Sequence, residues 1–425
     1  MEKILIKNGR LVDPANNIDE KRDILIEDGK IKEVADCIMQ VGDAKEINAE
    51  GKAVMPGFID LHVHLREPGF EYKETVETGA NAAARGGVTS ICPMPNTKPV
   101  IDSAESVKDL LKRAENSPVH ILPIGACTVG QEGKELADIE GMKEAGIVAL
   151  SEDGKSVMDS SLFRKSLKEA ARLNLPMFSH CEDKALVEGG VMNAGKKAKE
   201  LGLPGITNSV EDVIVARDII MSKEAGNRLH LCHCSTADSV VLVEMAKKQG
   251  LSVSAEVCPH HFTMSDDEIT EDNGRFKMNP PLRSRADVDA LKEGLKNGIM
   301  EVISTDHAPH GEEEKNQTML KAPFGIVGLE TSFALGYTEL VDKGVLTLSQ
   351  LVEKMSVNPA KVLGIDKGNL AQGKAADIVI ADITEEYEID SKKFVSKGKN
   401  TPFDGKKVKG RVITTIVDGK IVYHE

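Results

Sequence analysis

The sequence predicts an α/β fold, a (β/α)8 TIM-type barrel with a small β-sandwich-like domain formed from both termini. Three observations point to it. The middle of the 425-residue chain alternates eight short apolar runs with helical periods. Metal-binding side chains recur at the ends of the first, fourth, fifth, sixth and eighth of those runs. The two ends of the chain share a hairpin-rich style that the middle lacks. A doubly wound open sheet is the alternative, but no Gly-rich dinucleotide fingerprint follows a first strand, and an open sheet would spread those strand ends apart.

In chain order, residues 1–54 read as the N-terminal part of the composite β domain. Ile4-Leu5-Ile6, Asp23-Ile24-Leu25-Ile26 and Lys30-Ile31-Lys32-Glu33-Val34 are strand-like, and Asn8-Gly9 and Asp28-Gly29 are hairpin signals. Residues 55–365 form the barrel, with strands expected at 58–64, 88–93, 121–127, 147–150, 176–180, 229–233, 251–257 and 302–306. Helical periods lie at 74–85, 103–115, 162–173, 209–223, 235–248 and 284–296. Residues 366–425 return to short strands, Asp377-Ile378-Val379-Ile380-Ala381, Val412 to Val417 and Lys420-Ile421-Val422, with Asp418-Gly419 between the last two.

Composition narrows the function. The chain is 40% hydrophobic and 29% charged, with 54 basic against 68 acidic residues and a net charge of -14. That balance argues against nucleic acid as the partner. No apolar run has the length of a membrane span, and the first ten residues lack the layout of a signal peptide. Seven cysteines without paired spacing fit reduced thiols in a cytoplasm. Cys232 and Cys234 flank His233 but read as small apolar residues on the other face of a buried strand.

The chemistry lies in the strand ends. In 58–64, Ile59, Leu61, Val63 and Leu65 alternate with Phe58, Asp60, His62 and His64, so period two turns both histidines to one face and the aliphatic set toward helices. Two imidazoles at i and i+2 can reach one ion. His180, His233 and Asp306 each end a strand, and Asp153 follows the fourth, a candidate bridge between two ions. His230 lies deeper and on the opposite parity, and reads as structural. Nitrogen and oxygen donors without thiolate favour a catalytic zinc site with open positions. His260 and His261 read as supporting or packing residues, and the polar run from Gly311 to Gln317 as a loop over the mouth or a solvated connection.

The block Asp60-Leu61-His62-Val63-His64-Leu65-Arg66-Glu67-Pro68-Gly69 resembles the signature of dihydroorotases, in the cyclic amidohydrolase superfamily. Pro93-Met94-Pro95-Asn96-Thr97, Ser179-His180-Cys181-Glu182-Asp183, Lys277 to Arg283, Thr305 to His310 and Ala322-Pro323-Phe324-Gly325 resemble further blocks in the same order, as does the tail from Gly368 to Val379. The likeness spans essentially the whole chain and is nearest the bacterial monofunctional (type I) group. It implies zinc, one ion or two with two favoured, held by His62, His64, His180, His233 and Asp306, with Asp153 bridging. Many relatives bridge with a carboxylated lysine; here Asp153 holds that position and Lys155 sits nearby, so no lysine carbamate is expected. Glu152 stands where similar proteins often carry a second Asp.

The implied reaction is the reversible cyclisation of N-carbamoyl-L-aspartate to L-dihydroorotate and water in pyrimidine synthesis, with Asp306 moving the proton. Arg66 is expected to bind the substrate carboxylate as a bidentate fork, aided by Asn96. Asn279, His310, Phe324 and Gly325 are expected to hold the rest of the ring, beside His64. Other cyclic-amide hydrolases (dihydropyrimidinase, hydantoinase, allantoinase) are the rival reading. A non-catalytic partner of aspartate transcarbamoylase is the reading from another class, disfavoured because every ligand is kept. A homodimer is the default assembly, and catalysis leaves room for a complex with that transcarbamoylase.

Overall fold

The computed structural model describes residues 3–39 and 41–425. Its central part is α/β with parallel strands. One ladder joins Phe58–Val63, Val88–Pro93 and His120–Ile121; a second runs Ile124–Ala126, Ala149–Ser151, Met177–Ser179, Leu229–Leu231, Val253–Val257 and Val302–Ile303. The expected third strand is split at Leu122-Pro123, where proline offers no N–H to a ladder. Its first half pairs with Val88–Pro93 and its second with Ala149–Ser151, so it belongs to both ladders. At the other end, Val63 meets His307 in a parallel bridge and the His64 N–H donates to the His307 carbonyl at 2.8 Å.

All six expected helices are present, at Val76–Arg85, Ala104–Arg113, Ser160–Arg172, Ser209–Ala225, Ala237–Lys248 and Arg285–Lys296. Five begin on a short polar residue (Thr75, Ser103, Asp159, Thr236, Ser284) whose side chain accepts the N–H three residues on, satisfying one free helix donor. Helices at Ile139–Ala145 and through 332–363 were not foreseen. The latter include looser π turns at Tyr337–Val341 and Glu353–Val357 and are buried almost all round, so they show no amphipathic period. Among the described residues no helix is long and apolar enough to cross a membrane.

Strands from the two ends pair in one continuous eight-stranded sheet, in the order Lys420–His424, Arg411–Val417, Ile378–Asp382, Ala53–Pro56, Ile4–Asp13, Ile18–Glu27 and Lys30–Ala35, with Lys45–Asn48 also on Ile4–Asp13. Asp28-Gly29 and Asp418-Gly419 are hairpin turns with both residues at positive φ. Asn8-Gly9 is not a hairpin. It lies inside Ile4–Asp13, where Asn8 at φ 64° shifts the register between Ile6 and Gly9, a bulge made by the same left-handed preference. His120, half-buried, lies 3.4 Å from Asp377 and so links the central part to the terminal sheet.

Candidate metal centre

The first strand departs from simple alternation. Ile59 and Leu61 pack in a cluster with Cys92, Ile124, Ala149, Phe178, Cys232 and Val302, residues drawn from the other parallel strands. Phe58, Val63 and Leu65 join the larger cluster shared with the helices. The expected facing, with all four odd-numbered aliphatics toward the helices, is therefore wrong for Ile59 and Leu61. The ladder to Val88–Pro93 slips between Asp60 and Val63, which resets the parity just before the second histidine. Asp60 supports this bend by accepting the His62 and Thr305 N–H groups.

Six candidate ligands converge. His62 Nε2 lies 3.2 Å from Asp153 Oδ1 and 3.5 Å from Asp306 Oδ1. His64 Nε2 lies 3.0 Å from Asp306 Oδ1 and 3.6 Å from Asp153 Oδ2. His180 Nδ1 lies 2.8 Å from His233 Nε2 and 3.4 Å from Asp153 Oδ1. Asp153 thus belongs to two overlapping donor groups, with His62 and His64 on one side and His180 and His233 on the other. Lys155 is exposed while Asp153 is buried, so the carboxylate and not the lysine faces the histidines. Glu152 turns away and binds the Cys127 and Thr128 backbone N–H groups.

Three residues here hold left-handed backbone without being glycine: Arg66 (φ 62°), His233 (φ 35°) and Asp306 (φ 48°). Such conformations cost about 1–3 kcal/mol each and persist only when the surroundings fix them. The turn at His233 also sends Cys232 and Cys234 into different clusters rather than onto one face. All seven cysteines are free.

The donor set fits a metal ion. His62 Nε2 is buried and has no hydrogen-bond partner among the described residues. Burial would lower the His180 imidazole, yet Asp153 and Glu182 lift it to about 10. His62 is likewise raised against burial by Asp153 and Asp306. These buried carboxylates thus hold positive charge at the place where a cation would sit. His233 goes the other way, down to about 3, through burial and the nearby His180 and His62. Burial raises Asp306, but His62 and His64 outweigh it and bring it to about 2, an ionised carboxylate.

A cavity of about 180 Å³ opens over these groups, with Arg66, Asn96, Asn279, Phe324 and Gly325 in its wall beside His64. Arg66 donates from Nε to the Pro309 carbonyl at 3.2 Å, and among the described residues no carboxylate pairs with its guanidinium. Asn96 also serves the ligands: its Oδ1 is 3.0 Å from His64 Nδ1 and its amide donates to Asp153 Oδ2 at 3.0 Å. His310, expected to help hold the ring, sits against that wall, with Nε2 3.3 Å from Arg66 Nη2. Both its nitrogens are engaged, Nε2 at 2.8 Å from the Phe324 carbonyl and Nδ1 at 3.1 Å from Lys73 Nζ. Burial, then the Arg66 and Lys73 charges, pull it down to about 2, so it stays neutral.

Three contributors were missed in the sequence. Glu182 Oε2 accepts from His180 Nε2 at 2.8 Å, and Glu256 Oε1 lies 2.8 Å from His62 Nδ1. A carboxylate inside an apolar strand was the available signal for Glu256, since such groups are rarely buried unless paired. The third is Lys315. Within the run from Gly311 to Gln317, Glu312–Lys315 is a short helix, and buried Lys315 donates to the carbonyls of Lys277, Pro323 and Gly325, each at 2.9 Å. Lys315→Met should remove a donor from all three carbonyls, but the Gly325 N–H still serves Lys277 and the Asn400 amide still serves Gly325, so the main loss is at the Pro323 oxygen, at about 1–3 kcal/mol. The expected result is a drop of about 1–3 kcal/mol in denaturant stability, with KM raised more than kcat is lowered. An unchanged unfolding midpoint would mean the carbonyls find other donors.

Comparison with known proteins agrees with this geometry. A family model described as Dihydro-orotase-like matches residues 51–239. The chain is 49% identical to a dihydroorotase of Syntrophus aciditrophicus over 425 residues, the whole of both chains. It is 50% identical to that of Pelotomaculum thermopropionicum over 423 residues, 100% of this chain and 99% of the relative. Among solved structures it is similar to an L-hydantoinase (dihydropyrimidinase) from Arthrobacter aurescens, with TM-score 0.89, 30% identity, and 100% and 96% of the two chains covered. A dihydropyrimidinase from Brevibacillus agri follows at TM-score 0.86 and 26% identity, covering 99% and 95%. Likeness in fold thus extends across several cyclic-amide hydrolases, whereas half the residues over the full length are shared with enzymes of one name, and the chain belongs to the dihydroorotase family.

Proposed function

We propose that this protein is a zinc-dependent dihydroorotase that interconverts N-carbamoyl-L-aspartate and L-dihydroorotate plus water. The central strands close into a (β/α)8 barrel over residues 55–365, and residues 1–54 and 366–425 make one β domain. The split third strand shared by both ladders and the Val63–His307 bridge support the closure. The observation that carries the reading is one cavity with His64, Asp153, His180, His233 and Asp306 in its lining, His62 buried against Asp153 and Asp306, and Arg66 in the wall without a carboxylate partner among the described residues. These six residues would hold two zinc ions, Asp153 being a donor available to both groups. When bound, zinc supplies a Lewis acid that lowers the pKa of water to about 7 and polarises a carbonyl.

In the hydrolytic direction, Asp306 takes the proton of the attacking water and delivers it to the departing ring nitrogen. In synthesis the protonated Asp306 supplies the proton on which water leaves the carboxyl group. Arg66 binds the substrate carboxylate through its free N–H groups and so sets which face of the ring meets the floor. Asn96 orients His64 and Asp153 and keeps one N–H for the substrate. Asn279 and the Phe324-Gly325 backbone bound the rest of the ring.

The likeness to hydantoinase structures favours a second reading, hydrolysis of an uncharged ring. Parallel turnover of L-dihydroorotate, dihydrouracil, hydantoin and allantoin decides between them. The expected result is turnover of dihydroorotate alone, abolished by a chelator and restored by zinc. Turnover of an uncharged ring would move the substrate class, and turnover that survives full metal removal would overturn the metal reading.

A further inference from the structure

We infer that Glu256 is a positioning residue for the metal centre, one carboxylate oxygen fixing both the His62 ring and the His233 backbone. The inference rests on the metal reading proposed above. Glu256 stands in Val253–Val257 and is fully buried. Its Oε1 lies 2.8 Å from His62 Nδ1 and accepts the His233 backbone N–H at 3.1 Å. Its Oε2 lies 3.0 Å from His230 Nε2, whose Nδ1 lies 2.8 Å from Ser254 Oγ.

A carboxylate only accepts hydrogen bonds. With a metal ion in place of the positive charge on its ring, His62 therefore keeps its proton on Nδ1 and presents its lone pair on Nε2, the nitrogen that faces Asp153 and Asp306. An imidazole in the other tautomer would turn an N–H toward the ion and could not bind it. The same oxygen holds His233 at φ 35°, a conformation that side chains of its kind seldom adopt unaided. His62 ends the first strand and His233 follows the sixth, so this one group sets the two in register. His230 anchors the second oxygen and prevents the carboxylate from rotating. A carboxylate in this apolar setting would be costly without its donors, and two of the three come from candidate ligands.

Glu256→Gln tests this: the amide keeps the shape, loses the charge and must turn an N–H on one of the two imidazoles. Zinc affinity of wild type and variant would be measured by chelator competition, with the melting temperature of both metal-free proteins. The expected result is a zinc dissociation constant raised about 10- to 100-fold, with metal-free melting within a few degrees and KM for dihydroorotate unchanged at saturating zinc. If the Gln variant does not accumulate, Glu256→Asp replaces it; one methylene shorter, it keeps the charge but cannot reach both groups, and the same rise is expected. Equal zinc affinity in wild type and variant, or a loss confined to melting temperature, overturns this inference alone. A wild type that takes up no zinc overturns the metal reading and this inference with it.

Discussion

Asp306→Asn should lower the turnover of dihydroorotate by about 100- to 10,000-fold, the range a positioned proton-transfer group contributes, while zinc stays bound. Asparagine keeps an oxygen that can face His64 Nε2, now 3.0 Å from Asp306 Oδ1. It cannot accept the proton of water or return one to the ring nitrogen. The carboxylate is suited to that step because His62 and His64 outweigh burial and hold it ionised, at about 2, in the absence of substrate. The effect should appear in kcat in both directions if, as proposed, one group serves both. The check is steady-state kinetics at measured zinc content. A loss smaller than tenfold would assign the proton transfer to another group and leave Asp306 as a ligand only.

Arg66→Ala should cut kcat/KM for dihydroorotate by about 100- to 10,000-fold. Two charge-assisted hydrogen bonds at about 1.5–3 kcal/mol each give that range, at about 1.4 kcal/mol per tenfold. The structure explains why this arginine is available. Its backbone at φ 62° turns the chain directly beyond His64, Nε is held by the Pro309 carbonyl, and no carboxylate among the described residues neutralises it. Zinc content should not change, because Arg66 touches none of the six donors by hydrogen bond. The decisive comparison is with dihydrouracil, which lacks the carboxylate: the variant's preference for dihydroorotate over it should collapse. Retention of that preference would move carboxylate recognition to Asn96 or Asn279.

Much of the scaffold was readable locally. Six helices lay within two residues of their expected ends, helped by apolar stripes such as that of Ala104–Arg113 and by the capping side chains on which five begin. Asp28-Gly29 and Asp418-Gly419 made the turns their sequences favour, while Asn8-Gly9 spent the same left-handed preference on a bulge. Turn chemistry specifies a backbone angle; whether that angle reverses a strand depends on the strand beside it.

The sequence by itself determined the chemical candidates: His62, His64, Asp153, His180, His233 and Asp306 as candidate donors, and Arg66 as the candidate cation for a carboxylate. It did so because strand periodicity and motif spacing are properties of neighbouring residues. Only the tertiary structure decided how those groups are aimed. The slipped register between Asp60 and Val63, the left-handed turns at His233 and Asp306, the engagement of His310 by Phe324 and Lys73, and the backing of His62 by Glu256 were all invisible beforehand. Each depends on contacts between residues 14 to 237 positions apart in the chain, or on backbone strain that only surrounding contacts can sustain. Local sequence carries no record of either.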